Sequence, residues 1–310
     1  MDQDTKKNQK ELSLRARRLA SGKNAIILAH NYQLPEIQDL ADITGDSLAL
    51  SIEASKTEAD IIVFCGVHFM AETAAILCPG KKVFLPSKSA GCAMADMLNA
   101  DELRAFKADH PGVPVVTYVN STAEVKAESY ICCTSANAVQ VVKSLGVPEV
   151  LMTPDKNLAM WVQRHTDQKI LYWPGYCPVH DSLTVGAINR ARSEHPGALL
   201  IAHPECPPVI LDMANAVRST TGMLEYVNKS NANEFIIATE AGLLYTLQRQ
   251  NPGKRFYPAS DALVCQDMKK TRIEDVIAAL EHERYRVTVS EEIRVKALEA
   301  VRRMMAVPRD

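Results

Sequence analysis

Three cysteines recur at matched positions along this 310-residue chain. The pattern is measured from His30, Tyr118 and His203, each of which follows a short apolar run. A hydroxyl residue lies 17 positions after each origin, and a cysteine lies 62, 59 and 62 positions after it. The hydroxyl residues are Ser47, Ser135 and Thr220, and the cysteines are Cys92, Cys177 and Cys265. This period indicates three repeated units, and units that close around a pseudo-threefold axis would bring three thiolates to one point, as in a metal site.

A site with three thiolate ligands favours an iron–sulfur cluster over structural zinc. Closed zinc sites take four ligands, whereas a cluster with three cysteines leaves one iron open as a Lewis acid for a carboxylate or hydroxyl. The eight cysteines include no CxxC pair, which argues against a zinc ribbon, a thioredoxin-like motif and a ferredoxin. Two alternatives stay open: three unrelated buried cysteines, or zinc with His180 as the fourth ligand. His180 could equally be an active-site histidine beside a cluster.

Polar side chains follow the first apolar run of each repeat. The three segments are His30–Asn31–Tyr32, Tyr118–Val119–Asn120 and His203–Pro204–Glu205. Ligands of open α/β sheets bind beyond the carboxyl ends of the strands, and residues spaced i, i+2 point the same way in extended backbone. Tyr32 and Glu205 can donate and accept a proton. His30, His203, Tyr118 and Asn120 can bind carboxylate or phosphate groups.

Ser47, Ser135 and Thr220 each precede or open a helical pattern. One interpretation is that they are three helix N-caps, a common role of hydroxyl residues. The other is that each hydroxyl and the neighbouring backbone N–H groups form an anion site at a helix start. Three such sites around one axis would suit a ligand with several negative charges.

The apolar runs predict an α/β fold. Each repeat opens with an unalternating run rich in Ile, Val, Leu and Ala, which is typical of a strand buried on both faces of a parallel sheet. Helical periods follow, including residues 37–60 in the first repeat, and two more strands separated by a helix complete each unit. This order predicts α/β sandwiches with right-handed crossovers. Amphipathic helices are predicted at the N-terminus and twice near the C-terminus.

Pro/Gly turns at residues 108–114 and 193–198 mark the repeat junctions. The predicted domains are therefore 1–110 with Cys92, 111–196 with Cys177, and 197–310 with Cys265 and the C-terminal helices.

Composition and charge describe an ordinary soluble globular protein. The chain is 47% hydrophobic and 23% charged, and its net charge of −2 gives no general attraction to nucleic acid or anionic membranes. No apolar run reaches the ~18 residues that span a bilayer, and the N-terminus lacks the pattern of a secretory signal. We therefore expect a cytoplasmic protein with reduced thiols and no nucleic-acid or membrane partner.

Nine sequence segments together carry a family resemblance. They are AHNYQLPEIQDLADITGDS, GVHFMAETAAIL, YVNS, CTSANA, GYCPVH, AHPEC, RSTTGM, TEAGLL and the segment around Cys265. With these segments the chain resembles the quinolinate synthase A proteins of NAD biosynthesis over essentially its whole length. The resemblance implies three similar α/β/α sandwich domains with short parallel sheets about a pseudo-threefold axis. It also implies one 4Fe–4S cluster held by Cys92, Cys177 and Cys265, with one open iron.

The reaction implied by the resemblance condenses iminoaspartate with dihydroxyacetone phosphate to give quinolinate, phosphate and two waters. The catalytic residues it implies are Tyr32, as acid/base in isomerisation and dehydration, and Glu205 with His203, which move protons at the iminoaspartate end. The implied substrate-binding residues are His30, Ser47, Tyr118, Asn120, Ser135, His203, Glu205 and Thr220. An L-aspartate oxidase or dehydrogenase would supply iminoaspartate, so transient contact with that enzyme is a further expectation.

The chain departs from some relatives just before the third cysteine. Those relatives carry extra cysteines there in a CxxC spacing linked to redox control, whereas Ala259 and Ala262 stand six and three positions before Cys265. We therefore expect no disulfide regulation of that type. Other classes left open are a cluster-containing sensor, a hydro-lyase acting on a different acid, and a structural zinc protein.

Overall fold

The computed structural model describes residues 3–309. Thirteen strands form within this range: β1 (Ala25–His30), β2 (Ile43–Gly45), β3 (Ile61–Cys65), β4 (Lys82–Phe84), β5 (Val115–Tyr118), β6 (Ile131–Cys133), β7 (Glu149–Thr153), β8 (Lys169–Tyr172), β9 (Leu199–Ala202), β10 (Ala216–Val217), β11 (Glu234–Ala238), β12 (Arg255–Pro258) and β13 (Arg286–Val287). Fifteen α-helices accompany them in the same range: α1 (Gln3–Gly22), α2 (Pro35–Leu40), α3 (Ser47–Lys56), α4 (His68–Leu77), α5 (Ala100–Ala108), α6 (Ala123–Ala127), α7 (Ala138–Ser144), α8 (Lys156–Gln163), α9 (Pro178–Asp181), α10 (Val185–Glu194), α11 (Pro208–Met213), α12 (Thr220–Lys229), α13 (Leu243–Gln250), α14 (Ile273–His282) and α15 (Glu291–Ala306). No helix in the described part of the chain is both long and apolar enough to cross a membrane.

The strands form three sheets with one shared order. The first sheet runs β2–β1–β3–β4–β13, the second β6–β5–β7–β8 and the third β10–β9–β11–β12. In each sheet the first strand lies between the second and the third, and the fourth follows the third. All these neighbours pair in parallel except β13, which is antiparallel to β4. The predicted α/β class with short parallel sheets is confirmed.

One compact unit carries the first sheet. It runs up to Cys92 and includes Gln266–Val295. All five residues of β3 are buried, as expected for a strand covered on both faces. Its core contains apolar residues of β1, β3 and β4 together with small residues of α1 and the apolar face of α14. The rigid strand β1 thereby holds the residues that follow it, beginning with His30.

The other compact unit carries the second and third sheets. It comprises Ala93–Cys265 and the chain from Lys296 onward. One apolar cluster packs around β9 and β11 with α10 and α11, and another packs around β5 and β7 with α5. Met304, in the part of α15 that belongs to this unit, is buried. Its carbonyl oxygen accepts a hydrogen bond from Nδ2 of Asn137 at 3.1 Å. The division into domains 1–110, 111–196 and 197–310 stays a prediction.

The helical periodicity predicted over residues 37–60 is interrupted by a strand. The segment forms α2, the short strand β2 and α3 in succession. Asp46 ends the strand segment and caps α3 by accepting a hydrogen bond from the Ala49 amide at 2.8 Å. The sequence pattern did not indicate β2 or the equivalent strands β6 and β10, because two or three residues are too few to show a period. Each sheet therefore has at least four strands, one more per repeat than predicted. The amphipathic helices near both ends, α1, α14 and α15, are confirmed.

Candidate active site

The structure places the three origin residues at equivalent strand ends. His30 and Tyr118 are the last residues of β1 and β5, and His203 directly follows β9. All three are buried. The carboxyl ends of three equivalent strands therefore carry the polar segments that the sequence singled out, which is where α/β folds bind ligands.

His30 and His203 share one turn geometry. The amide of Tyr32 donates to Nδ1 of His30 at 3.1 Å, and the amide of Glu205 donates to Nδ1 of His203 at 3.3 Å. An imidazole nitrogen that accepts a hydrogen bond carries no proton in the neutral ring, so the proton lies on Nε2. Nε2 is therefore the donor nitrogen of both rings.

The first unit buries polar atoms around β1. Asn31 and Gln33 are buried beside His30 and Tyr32, and neither Nδ2 of Asn31 nor Oε1 of Gln33 has a hydrogen-bond partner within the described structure. A buried polar atom without a partner is costly, so such atoms indicate a place for a bound polar group or water. The Tyr32 carbonyl accepts from Lys269, and the Tyr32 ring meets His30 edge-on at 4.5 Å.

Glu205 is the centre of a buried acid–base group in the second unit. Its Oε1 accepts from the Tyr118 phenol, and its Oε2 lies 2.8 Å from Nδ1 of His180. Burial alone would raise the pKa of Glu205, but the two neighbouring imidazoles of His180 and His203 and the phenol of Tyr118 outweigh it and hold that pKa well below its usual range. Glu205 is therefore a carboxylate at neutral pH.

His180 connects this group to a cysteine. Its Nδ1 lies 3.2 Å from Sγ of Cys177, and its Nε2 lies 2.8 Å from the hydroxyl of Thr239. The His180 ring also stacks on His203 with centroids 4.7 Å apart. His203 in turn places Nε2 3.1 Å from Oγ of Ser135. The second unit thus brings together six residues named from the sequence: Tyr118, Ser135, Cys177, His180, His203 and Glu205.

The other predicted residues of the second unit are Asn120, Thr220 and Cys265. Asn120 lies two residues beyond β5, and its Oδ1 is buried with no hydrogen-bond partner among the described residues. Thr220 is buried and begins α12, and Cys265 follows β12. His30, Tyr32, Ser47 and Cys92 belong to the first unit.

The interpretation of Ser47, Ser135 and Thr220 as N-caps is wrong. Asp46 and Ser219 cap α3 and α12, so Ser47 and Thr220 are the first helical residues after the caps. Ser135 precedes α7 by three residues, and Asn137 occupies the cap position there. Asp46 accepts the capping hydrogen bond from the Ala49 amide, and Ser219 accepts it from the Gly222 amide. The hydroxyls of Ser47 and Thr220 can therefore bond to other partners.

Sequence reasoning missed two buried acids beside the cysteines. Asp155 lies two residues after β7 and Glu240 two residues after β11. Burial, and next the charge of Glu205, raise the pKa of Asp155 well above its usual range although backbone amides oppose them. Asn157 was also missed, and its Nδ2 donates to Asp181 at 2.7 Å and to the Glu205 carbonyl at 3.1 Å. The repeat register would have found both acids, had it been extended to the third strands.

Exposure divides the eight cysteines into two groups. Cys92, Cys177 and Cys265 follow β4, β8 and β12, the fourth strands of their sheets, and all three are partly exposed. The other five are buried: Cys65, Cys78, Cys132, Cys133 and Cys206. Burial raises the pKa of each of these five, to about 12 for Cys132. The three cysteines that the repeat selects are thus the ones whose thiols are partly accessible.

A second metal donor set lies within this site. One ligand atom each of Cys177, His180 and Glu205 lie within 4.8 Å of one another. Cysteine, histidine and carboxylate ligands suit zinc. In this arrangement, however, Nδ1 of His180 is engaged with Glu205 and its Nε2 with Thr239, so the histidine has no nitrogen left for a metal unless one of these contacts breaks.

Comparison with known proteins identifies the family. The family model described as "Quinolinate synthetase A protein" matches residues 15–306. A protein of Geotalea uraniireducens named quinolinate synthase is 55% identical over 302 residues, which cover 97% of this chain and 99% of the relative. One of Pelobacter propionicus with the same name is 57% identical over 295 residues, covering 95% and 97%. Quinolinate synthase 1 of Methanosarcina acetivorans is 52% identical over 299 residues, covering 96% and 98%. This chain therefore belongs to the quinolinate synthetase A protein family.

Proposed function

We propose that this protein is a quinolinate synthase of NAD biosynthesis. It condenses iminoaspartate with dihydroxyacetone phosphate, and quinolinate forms with loss of two waters and inorganic phosphate. The relatives that share more than half of its sequence bear this enzyme's name. The observation that carries the proposal is the buried chain of contacts from Tyr118 through Glu205 and His180 to Cys177. It joins acid–base groups directly to a candidate cluster ligand.

The proposed cofactor is one 4Fe–4S cluster held by Cys92, Cys177 and Cys265. Two observations support this set: each cysteine follows the fourth strand of a sheet with the same strand order, and these three are the partly exposed cysteines of the chain. When bound, such a cluster would supply one open iron as a Lewis acid for a substrate carboxylate or hydroxyl. We also propose that the three sheets are the three repeats of the sequence, because their strand orders agree.

Proton transfer in this proposal depends on His203 and Glu205. The Glu205 amide fixes Nδ1 of His203 as an acceptor, so Nε2 presents a proton beside Ser135. Glu205 remains an anion and is therefore the group that can accept a proton from substrate. His203, with its proton on Nε2, donates a hydrogen bond that orients the substrate and stabilises negative charge on it.

The first unit supplies the other proposed acid/base, Tyr32. Its backbone is held by two contacts, from the Tyr32 amide to His30 and from Lys269 to the Tyr32 carbonyl. The proposed substrate-binding set stays His30, Ser47, Tyr118, Asn120, Ser135, His203, Glu205 and Thr220. The buried Asn120 Oδ1, which has no partner within the described structure, supports a polar ligand at that strand end. Supply of iminoaspartate by an L-aspartate oxidase or dehydrogenase stays a prediction.

The first experiment measures iron and acid-labile sulfide in anaerobically purified protein. We expect about four of each per chain, followed by quinolinate formation from iminoaspartate and dihydroxyacetone phosphate. One zinc and no sulfide after attempted cluster reconstitution would overturn the cluster and favour the Cys177–His180–Glu205 donor set. A full cluster without quinolinate formation would overturn the substrates while leaving the cofactor in place, as expected for a hydro-lyase acting on another acid.

A further inference from the structure

Two buried acidic side chains accept hydrogen bonds from the backbone of two candidate cluster ligands. Oδ2 of Asp155 accepts from the Cys177 amide at 3.2 Å, and Oε1 of Glu240 accepts from the Cys265 amide at 3.0 Å. The second oxygen of each side chain accepts from the backbone at a helix start. Oδ1 of Asp155 accepts from the Leu158 amide and Oε2 of Glu240 from the Gly242 amide, both at 2.7 Å. Each acid therefore joins a cysteine loop to the segment after the third strand of the same sheet.

The two acids occupy one position of the internal repeat. Asp155 lies 37 residues after Tyr118, and Glu240 lies 37 residues after His203. The two side chains are 2% and 1% exposed, and their hydrogen bonds to the cysteine amides are partly buried. The same contacts thus arise twice on different sheets, although the surrounding sequences TPDKN and TEAGL differ. Equal contacts in two settings indicate a shared role rather than an accident of packing.

Gly175 brings the backbone close enough for the hydrogen bond between the Cys177 amide and Asp155. A Cβ placed on Gly175 would lie 2.6 Å from the Pro154 carbonyl oxygen, which is closer than real Cβ atoms approach. The missing side chain lets Gly175 form a parallel bridge with Asp155 and accept from the Lys156 amide at 2.8 Å. That bridge sets the distance between Asp155 and the amide of Cys177 two residues later.

The first repeat has no acidic residue at this position, and other groups hold the loop that carries Cys92. Its equivalent residue, 37 positions after His30, is Val67, which cannot accept a hydrogen bond from the cysteine loop. The loop is instead held by the Ala90 carbonyl, which accepts from the His68 amide at 2.9 Å. A carboxylate from elsewhere in the chain also reaches it, because Oδ1 of Asp267 accepts from the Gly91 amide at 3.3 Å.

We propose that Asp155 and Glu240 are positioning residues that hold Cys177 and Cys265 in the geometry for cluster binding. The inference rests on the proposed cluster. Groups behind metal ligands fix the orientation of those ligands, and their loss typically weakens metal binding by about 10- to 100-fold.

The test compares Asp155→Ala and Glu240→Ala with the partial replacements Asp155→Asn and Glu240→Gln. Asn and Gln keep one acceptor oxygen but cannot accept both amides. Asn99→Ala is the matched control, because Asn99 caps α5 through the Glu102 amide at 3.0 Å and bonds to no cysteine. The readouts are the rate of iron release to a chelator from the reconstituted proteins and the hydrogen exchange of the Cys177 and Cys265 amides in cluster-free protein.

We expect iron release to be about tenfold or more faster in the Ala variants, intermediate in the Asn and Gln variants, and unchanged in Asn99→Ala. Amide exchange should speed up at Cys177 in Asp155→Ala and at Cys265 in Glu240→Ala. Release at the wild-type rate in both Ala variants would overturn the inference while the cluster stands. If the wild-type protein binds no iron and sulfide, the proposed function fails instead, and the exchange measurement still tests the two hydrogen bonds.

Discussion

Nδ1 of His180 lies 2.8 Å from Oε2 of Glu205 although His180 lies in α9, beyond the second sheet, and Glu205 follows β9 of the third sheet. The other oxygen of the same carboxylate accepts from Tyr118 at the end of β5. One buried anion therefore connects the strand ends of two sheets. Its stability as an anion depends on these neighbours, because burial without them would favour the protonated acid.

Glu205→Gln should change how stability depends on pH. The pKa of Glu205 is lowered in the folded protein, so its contribution is complete above its unfolded pKa of about 4.3 and is lost as pH falls towards the folded value. We expect cluster-free Glu205→Gln to be about 2 to 4 kcal/mol less stable at pH 7. The difference should stay constant from pH 7 to 5 and shrink below pH 4 by up to about 1.4 kcal/mol per pH unit.

Denaturant unfolding at several pH values checks this prediction. The charge of Glu205 also raises the pKa of Asp155, so the same comparison is made in an Asp155→Asn background to separate the two groups. A difference that is equal at pH 7 and pH 3 would show that Glu205 is not held as an anion by its neighbours.

Tyr118→Phe should reduce turnover more than it reduces stability. The substitution removes the O–H that donates to Glu205 but leaves the His180 contact in place. A hydrogen bond to a charged group contributes about 1.5 to 3 kcal/mol, and its loss in a transition state corresponds to roughly 10- to 100-fold in kcat. Steady-state kinetics of quinolinate formation measure the effect. Tyr172→Phe is the control, since Tyr172 lies exposed on β8, and equal kcat values for the two variants would exclude a role of the Tyr118 hydroxyl.

Thiol alkylation should distinguish the two groups of cysteines. In cluster-free, reduced protein at pH 7, we expect N-ethylmaleimide to modify Cys92, Cys177 and Cys265 first, because these are partly exposed. Cys132, with a pKa of about 12, has roughly a thousandfold less thiolate than an ordinary cysteine. Peptide mapping by mass spectrometry gives the order of labelling. Early labelling of Cys65, Cys132 or Cys206 in folded protein would contradict the burial of these side chains.

Cys265→Ser should lose the cluster and activity together. Serine keeps the size of the side chain but replaces the thiolate that iron prefers, so we expect iron and sulfide to fall from about four per chain to near zero. Cys65→Ala is the control, because Cys65 lies in the apolar core of the first unit and its removal costs packing alone. A full cluster in Cys265→Ser, or its loss in Cys65→Ala with the fold intact, would refute the assignment of ligands.

The sequence determined the α/β class and the positions of the strand-end residues. Continuous apolar runs such as IIVFC, rich in β-branched residues, are typical of strands covered on both faces, and polar residues directly after such strands lie at the end of the sheet. The sequence pattern could not predict the short strands β2, β6 and β10, because two or three residues form a strand only when a neighbouring strand pairs with them.

Only the tertiary structure decided which polar residues meet. The repeat register selected Cys177, His203 and Glu205 one by one, but a period along the chain contains no distances between side chains on different sheets. The contact of His180 with Glu205, and the hydrogen bonds from the Cys177 and Cys265 amides to Asp155 and Glu240, arise only when segments distant in the sequence are packed together. The residue type thus determined whether each side chain can donate a proton, accept one or bind a metal. Packing determined its neighbours and, through them, its charge.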